Sequence, residues 1–306
     1  MNRIVVSGAS GDLGRRITDL LLQEISPEQL TLTTRSPQKL TERVQKGVAV
    51  FQANYRDRDA LERAYRGGDV LMLISGLDVT HRVPEHRNAI NAAKAAGIKH
   101  VVYTSVAGIH PRNPTLSASD HIITEADLRA SGLDFTVLRN ATYAEVLPEI
   151  VVGTAVRTGK WYQVQGAGRL APVSKTDVAR CASRILQDPG FHAGAVYEIS
   201  GPELLTFRQI VAIASKSTGT PIEYIEVTPE QRFEIWDALG VPRKYSDTMA
   251  AHPDAHMWAS EELVSAEVAF GQGFHGILTD HVSFITGRQP RPLAEVFDES
   301  WRSRGK

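Results

Sequence analysis

The chain has 306 residues, 42% of them hydrophobic and 23% charged, a globular composition that excludes a disordered or fibrous protein. Lys and Arg number 34 against 35 Asp and Glu, so no basic excess marks a nucleic-acid binder. The single cysteine excludes an intramolecular disulfide and a cysteine-rich zinc site, and no run approaches the roughly 18 apolar residues of a membrane span.

Met1-Asn2-Arg3 leads straight into Ile4-Val5-Val6, which reads as a core strand with no targeting segment before it. The expectation is a protein of the reducing cytoplasm. Short β-branched runs then alternate with helical patterns. Strands are predicted at Arg3–Ser7, Leu30–Thr34, Val48–Gln52, Val70–Ser75, Val101–Ser105, Phe135–Arg139 and Ala195–Ser200. Leu13, Ile17, Leu20 and Leu21 line one face of a helix. Arg87–Ala96 and Glu125–Ser131 read as helices that stop at Gly97 and Gly132. Strands spaced by helices give right-handed crossovers and an α/β fold, a doubly wound parallel sheet covered on both faces. The alternation weakens after about Tyr143. Residues 141–172 and 201–306, with many of the large aromatics, read as a smaller mixed α/β lobe over the carboxyl edge of the sheet. Residues 1–140 form the main domain, with 173–200 returning to its sheet.

The strongest motif is Gly8-Ala9-Ser10-Gly11-Asp12-Leu13-Gly14, between the first strand and the first helix. A pyrophosphate needs bare backbone amides and close approach, and the helix start adds the positive end of its dipole. Gly14 lets helix and strand pack closely. The spacing is one residue longer than the dinucleotide fingerprint G-x-G-x-x-G. The second strand ends Thr33-Thr34-Arg35-Ser36, with no acid to hold a ribose 2′-hydroxyl. Arg35, with Lys39 a helical turn on, suits a 2′-phosphate, so NADPH is favoured over NADH, with no metal and no flavin. Asn54 and Tyr55 after the third strand fall at the adenine edge. Ser75 and Gly76 after the fourth fall near the pyrophosphate and nicotinamide ribose.

Tyr103-Thr104-Ser105 closes the next strand at the same edge, and His121, Thr124 and Glu125 follow on a helix. Together with the glycine loop, the Thr34-Arg35-Ser36-Pro37-Gln38-Lys39-Leu40 run, the His86–Gly97 run and Leu138-Arg139-Asn140 with Tyr143, these residues resemble the atypical short-chain reductases of the NmrA-like group, in particular its bacterial quinone and triphenylmethane-dye reductases. The resemblance implies a Rossmann-type NADP(H) domain and hydride transfer to a flat quinone-like or other conjugated aromatic acceptor in a cleft under the second lobe. It also marks a departure. The Tyr-x-x-x-Lys pair of short-chain dehydrogenases is missing, with Ser117 at the Tyr place and His121 at the Lys place. A readily reduced acceptor needs little acid help, so positioning carries most of the catalysis. On this reading Ser105 meets the reacting oxygen, His121 supplies a proton, Asn140 orients the carboxamide, Tyr143 stacks on the acceptor, and Thr104 joins the cofactor set. A packed helix-face histidine is the competing reading of His121.

The rest carries less. His252 and His256 are four apart, but Pro253 lies between them and no third ligand follows. Cys181 lies on an apolar helix face and reads as a packed thiol. No G-x-S-x-G elbow supports a serine hydrolase. Phe233 and Trp258 are candidates to line the cleft. A non-catalytic NADP(H) sensor and a reductase of lignan-like compounds stay open as alternatives, as does a homodimer.

Overall fold

The computed structural model describes residues 2–304 except Thr80, Val151, Gln165 and Asp247. The elements run β1 (Ile4–Ser7), α1 (Asp12–Leu21), β2 (Leu30–Thr34), α2 (Thr41–Gln45), β3 (Ala49–Gln52), α3 (Arg58–Tyr65), β4 (Val70–Leu73), α4 (Arg82–Ala96), β5 (His100–Val106), α5 (Leu116–Ala130) and β6 (Asp134–Asn140). There follow α6 (Val146–Ile150), α7 (Val152–Thr158), β7 (Lys160–Val164), β8 (Arg169–Leu170), α8 (Lys175–Gln187), β9 (Val196–Ile199), β10 (Leu205–Thr206), α9 (Phe207–Thr218), β11 (Glu223–Val227), α10 (Pro229–Ala238), α11 (Ser260–Gly271), α12 (His281–Thr286) and α13 (Leu293–Arg304). Among the described residues no helix is long and apolar enough to cross a membrane.

Seven strands form one sheet in the order β3-β2-β1-β4-β5-β6-β9, every pairing parallel. The chain leaves β1 toward β2 and β3, then crosses back to β4 on the other side. The carboxyl end of β1 is therefore the point where the winding reverses, the place where open α/β sheets leave a crevice for ligands. Each predicted strand of the sheet is present, shifted at its ends by no more than two residues.

Strand alternation divides the core in two. Ile4, Val6, Met72 and Val102 pack with Leu13, Ile17 and Leu21 of α1 and with Val178, Cys181 and Ile185 of α8. Val5, Leu71, Val101 and Tyr103 pack with Leu61 and Tyr65 of α3 and Ala89 and Ala93 of α4. Ile17 is completely buried, worth about 1.5–3 kcal/mol relative to exposure. Cys181 is likewise buried, and burial pushes its thiol up to about 12. The same alternation places Thr104 on the α1–α8 face and Tyr103 and Ser105 on the α4–α5 face.

The remaining elements build two further cores. Trp161 of β7 packs with Phe207 and Ile210 of α9 and Phe297 of α13. Val164 packs with Trp236 of α10 and Val264 of α11. The stretch 279–286 departs from the expected division. The Thr279 amide donates to Ser200 Oγ at 3.0 Å, and Val282 is buried in the α1–α8 core, so this stretch covers the β9 edge of the main sheet. His252 and His256 exchange backbone hydrogen bonds across a tight turn, with His256 at φ 50°, instead of sharing a helix face.

Candidate active site

At the end of β1 the chain turns at Gly8, whose φ is +75°, and enters α1 with Gly11 as its first flanking residue. Gly11 has no side chain to cap the helix, so the amides of Asp12, Leu13 and Gly14 donate to no acceptor among the described residues. Such free first-turn donors are what an anion at a helix start requires. A Cβ at Gly14 would stand 2.5 Å from Gly8 O and 2.8 Å from Ala9 Cα, so only glycine lets α1 lie this close to the loop. Asp12 places a carboxylate beside this point, but Arg16 Nε at 2.9 Å and Lys175 Nζ at 3.1 Å hold it. Burial alone would raise its pKa; the two cations outweigh burial and lower it.

The loop is tied to the end of β2. Ser10 Oγ lies 2.6 Å from Thr34 Oγ1, which also accepts the Ser36 amide at 3.0 Å. Arg35, between them, is exposed, as is Lys39, and neither side chain has a partner among the described residues. An unpaired guanidinium and ammonium on one rim leave two cations free for an anion. On the other rim Asn54 Oδ1 accepts the Arg56 amide at 3.2 Å, and the Tyr55 hydroxyl donates to Ile74 O at 2.8 Å, closing over the loop beside Gly8.

The ends of β4 and β5 meet next. The Ser75 amide donates to Thr104 Oγ1 at 2.8 Å, and that hydroxyl donates to Ser75 Oγ at 3.3 Å. The Gly76 amide donates to His86 Nε2 at 3.2 Å. His86 Nδ1 lies 3.1 Å from Thr124 Oγ1 and 3.4 Å from the Tyr103 hydroxyl, which is 2.6 Å from His121 Nδ1. Tyr103 and His86 are completely buried and His121 nearly so. Burial pulls His86 down to about 3 and His121 well below the ordinary histidine value, with the nearby Arg82 charge adding to both. Burial raises the Tyr103 phenol. All three are therefore neutral at pH 7.

Ser105 faces elsewhere. Its hydroxyl donates to Glu125 Oε1 at 2.8 Å, and the same carboxylate receives Arg139 Nε at 2.9 Å and Nη2 at 2.8 Å and Arg129 Nη2 at 3.0 Å. Burial would raise the Glu125 pKa, but Arg139 and Ser105 lower it. The Ser105 proton is thus committed to a buried carboxylate that braces the ends of β5 and β6. At the end of β6, Asn140 Nδ2 donates to the Tyr143 hydroxyl at 3.1 Å, while Asn140 Oδ1 is buried without a donor. Burial pushes the Tyr143 phenol up to about 12, and Lys175 Nζ lies 5.9 Å from its ring centre. Tyr143 packs on the α1–α8 core, whereas His121 and Ser105 stand on the opposite face of the sheet.

Sequence reasoning passed over His86, Lys175 and the hydroxyl of Tyr103. His86 and Tyr103 lie inside runs quoted only for resemblance, and Lys175 comes to Asp12 across 163 residues of chain. Alternation along β5 does put Tyr103 on the α5 face, but a partner on that helix shows only in three dimensions.

The comparisons with known proteins fall on this frame. The chain is 34% identical over 248 residues to quinone oxidoreductase 2 of Escherichia coli, covering 81% of this chain and 85% of that protein. A crystal structure of an NADPH-dependent quinone oxidoreductase from Escherichia coli complexed with NADPH superposes with a TM-score of 0.86 at 30% identity, over 97% of this chain and 99% of that one. Triphenylmethane reductase of Citrobacter sp. complexed with NADP(H) gives 0.83 at 26% identity, over 97% and 99%. A family model described as NAD(P)H-binding matches residues 8–189, from the first glycine of the loop to just past α8. This chain belongs to the NAD(P)H-binding family.

Proposed function

We propose that this protein is an NADPH-dependent reductase that delivers hydride to quinone-like or other conjugated aromatic acceptors. The observation that carries the reading is the loop at the winding reversal: three first-turn amides without acceptors, a Gly14 with no room for a side chain, and an unpaired Arg35 on the adjoining strand end. These residues fit a dinucleotide. The amides of Asp12, Leu13 and Gly14, with Gly8, Ser10 and Gly11 shaping the turn, would hold the pyrophosphate. Arg35 and Lys39 would hold a 2′-phosphate, Asn54 and Tyr55 would border the adenine, and Ser75, Gly76 and Thr104 would border the nicotinamide ribose. The buried, donor-less Asn140 Oδ1 suits the carboxamide N–H.

When bound, NADPH supplies the hydride. The chain's own part is to orient, to exclude water and to place donors. Tyr143 receives a hydrogen bond from Asn140 and keeps its own proton free to donate. Ser105 acts through Glu125 and Arg139 to hold the strand ends. His121 is neutral and serves better as a hydrogen-bond donor than as an imidazolium acid. Residues 141–172 and 201–278 would bind the acceptor. The quinone oxidoreductase and triphenylmethane reductase similarities support an acceptor of this class. The test is NADPH oxidation, followed at the reduced-nicotinamide absorbance band, with a panel of quinones and cationic dyes. Calorimetric NADPH binding without turnover on any of them would replace the reductase with a regulator.

A further inference from the structure

We infer that a one-way hydrogen-bond chain starting at the Gly76 amide fixes His121 as the neutral tautomer with its proton on Nε2, so that His121 offers a standing N–H donor to the acceptor oxygen that gains negative charge, with Tyr103 and His86 as positioning residues. The inference deepens the reductase reading and rests on it.

The polarity of the chain can be followed atom by atom. The Gly76 N–H can only donate, so His86 Nε2, 3.2 Å away, accepts and carries no proton. A neutral His86 then has its proton on Nδ1, and Nδ1 donates, to Thr124 Oγ1 at 3.1 Å or to the Tyr103 oxygen at 3.4 Å. The Thr124 hydroxyl spends its own proton on Asp120 O at 2.8 Å. With His86 Nδ1 a donor, the Tyr103 hydroxyl is assigned its proton along the shortest contact its oxygen makes, to His121 Nδ1 at 2.6 Å, in preference to the Thr124 hydroxyl. His121 Nδ1 is therefore bare, and its proton sits on Nε2. That nitrogen has no partner among the described residues and is not among the fully buried unpartnered atoms. It is the open end of the chain. Burial of both histidines and of the phenol keeps all three neutral, so no member reverses direction near neutral pH. A fixed dipole aimed at developing charge stabilises it without reorganisation, and no proton need leave His121.

The test is histidine ¹⁵N NMR on the full chain, with and without NADP⁺, joined to turnover with a quinone. The proposal expects His121 protonated on Nε2 and bare on Nδ1, unchanged from about pH 6 to pH 8, where a free histidine titrates. Tyr103→Phe should give mixed His121 tautomers and lower kcat about tenfold, leaving the KM for NADPH unchanged. His121→Gln, which keeps an N–H near the Nε2 place but cannot titrate, should stay within about tenfold of wild type, while His121→Ala loses about a hundredfold. A proton on Nδ1, an imidazolium forming near neutral pH, or a Gln variant as slow as Ala overturns the proposal. The tautomer is read in wild-type protein without any acceptor, so a folding failure of Tyr103→Phe does not remove the test. Wild-type protein that reduces no acceptor overturns the reductase reading and this role with it; wild-type protein that reduces acceptors with the wrong tautomer overturns this role alone.

Discussion

The two ends of the candidate site are built on opposite principles. At the phosphate loop the useful groups are left unsatisfied: three amides without acceptors, and Arg35 and Lys39 exposed and unpaired. At the Tyr103–His121 end nearly everything is satisfied and buried, and the chain from Gly76 to His121 leaves a single nitrogen open. Binding an anion calls for donors held in place but unspent, while aiming one donor calls for a neighbourhood with no freedom left. Mutations should therefore separate the two ends, with folding stability answering at one and affinity at the other.

The largest effect should come from Glu125→Ala at the satisfied end. It strips a buried carboxylate from Ser105, Arg139 and Arg129 and should cost about 3 kcal/mol in urea denaturation, the scale for breaking a buried pair. A loss under about 1 kcal/mol would mean that Arg139 finds water instead. Arg35→Ala should do the reverse. NADPH affinity should fall by about 1.5–3 kcal/mol in calorimetry with NADH affinity little changed, and stability should stay within about 0.5 kcal/mol. Equal weakening of both cofactors would sink the 2′-phosphate assignment. Gly14→Ala tests the loop as a shape. Its methyl would meet Gly8 O and Ala9 Cα, backbone atoms that must shift, so stability should drop by about 1–3 kcal/mol and NADPH binding should weaken with it. Gly190→Ala, where a methyl meets nothing within 4 Å, is the matched control.

The most gradual effect is the acid slope. His86 and His121 resist protonation when folded, whereas the unfolded chain takes up protons below about 6.5. The His86 stabilisation is fully present above that value and is lost as pH falls toward 3, by about 1.4 kcal/mol per pH unit, and His121 acts in the same direction. Glu262 has the opposite sign. Burial raises it to about 7, so its contribution is present below the ordinary carboxylate range and fades as pH rises toward 7. Urea melts at stepped pH on wild type and His86→Gln should differ by one proton's slope between about pH 4 and pH 6. Identical slopes would show that His86 is charged in the fold.

The phosphate end was legible because its chemistry is local. Gly8, Gly11 and Gly14 lie within seven residues, and Arg35 follows its strand directly. The other end draws on Gly76, His86, Tyr103, His121 and Thr124, from two strand ends and two helices, and no spacing along the chain announces that they meet. Ser105 shows the same limit. Its place at the end of β5 was readable, but its hydroxyl turns to Glu125, twenty residues away on α5.

The amino-acid sequence alone determined the alternating α/β winding, the strand ends and the glycine turn, because hydrophobic period and backbone freedom are properties of neighbouring residues. Only the tertiary structure decided which way each buried hydrogen bond runs and which nitrogen of His121 keeps its proton. Those depend on contacts across the sheet face, where burial removes water as an alternative partner and leaves each donor few places to go.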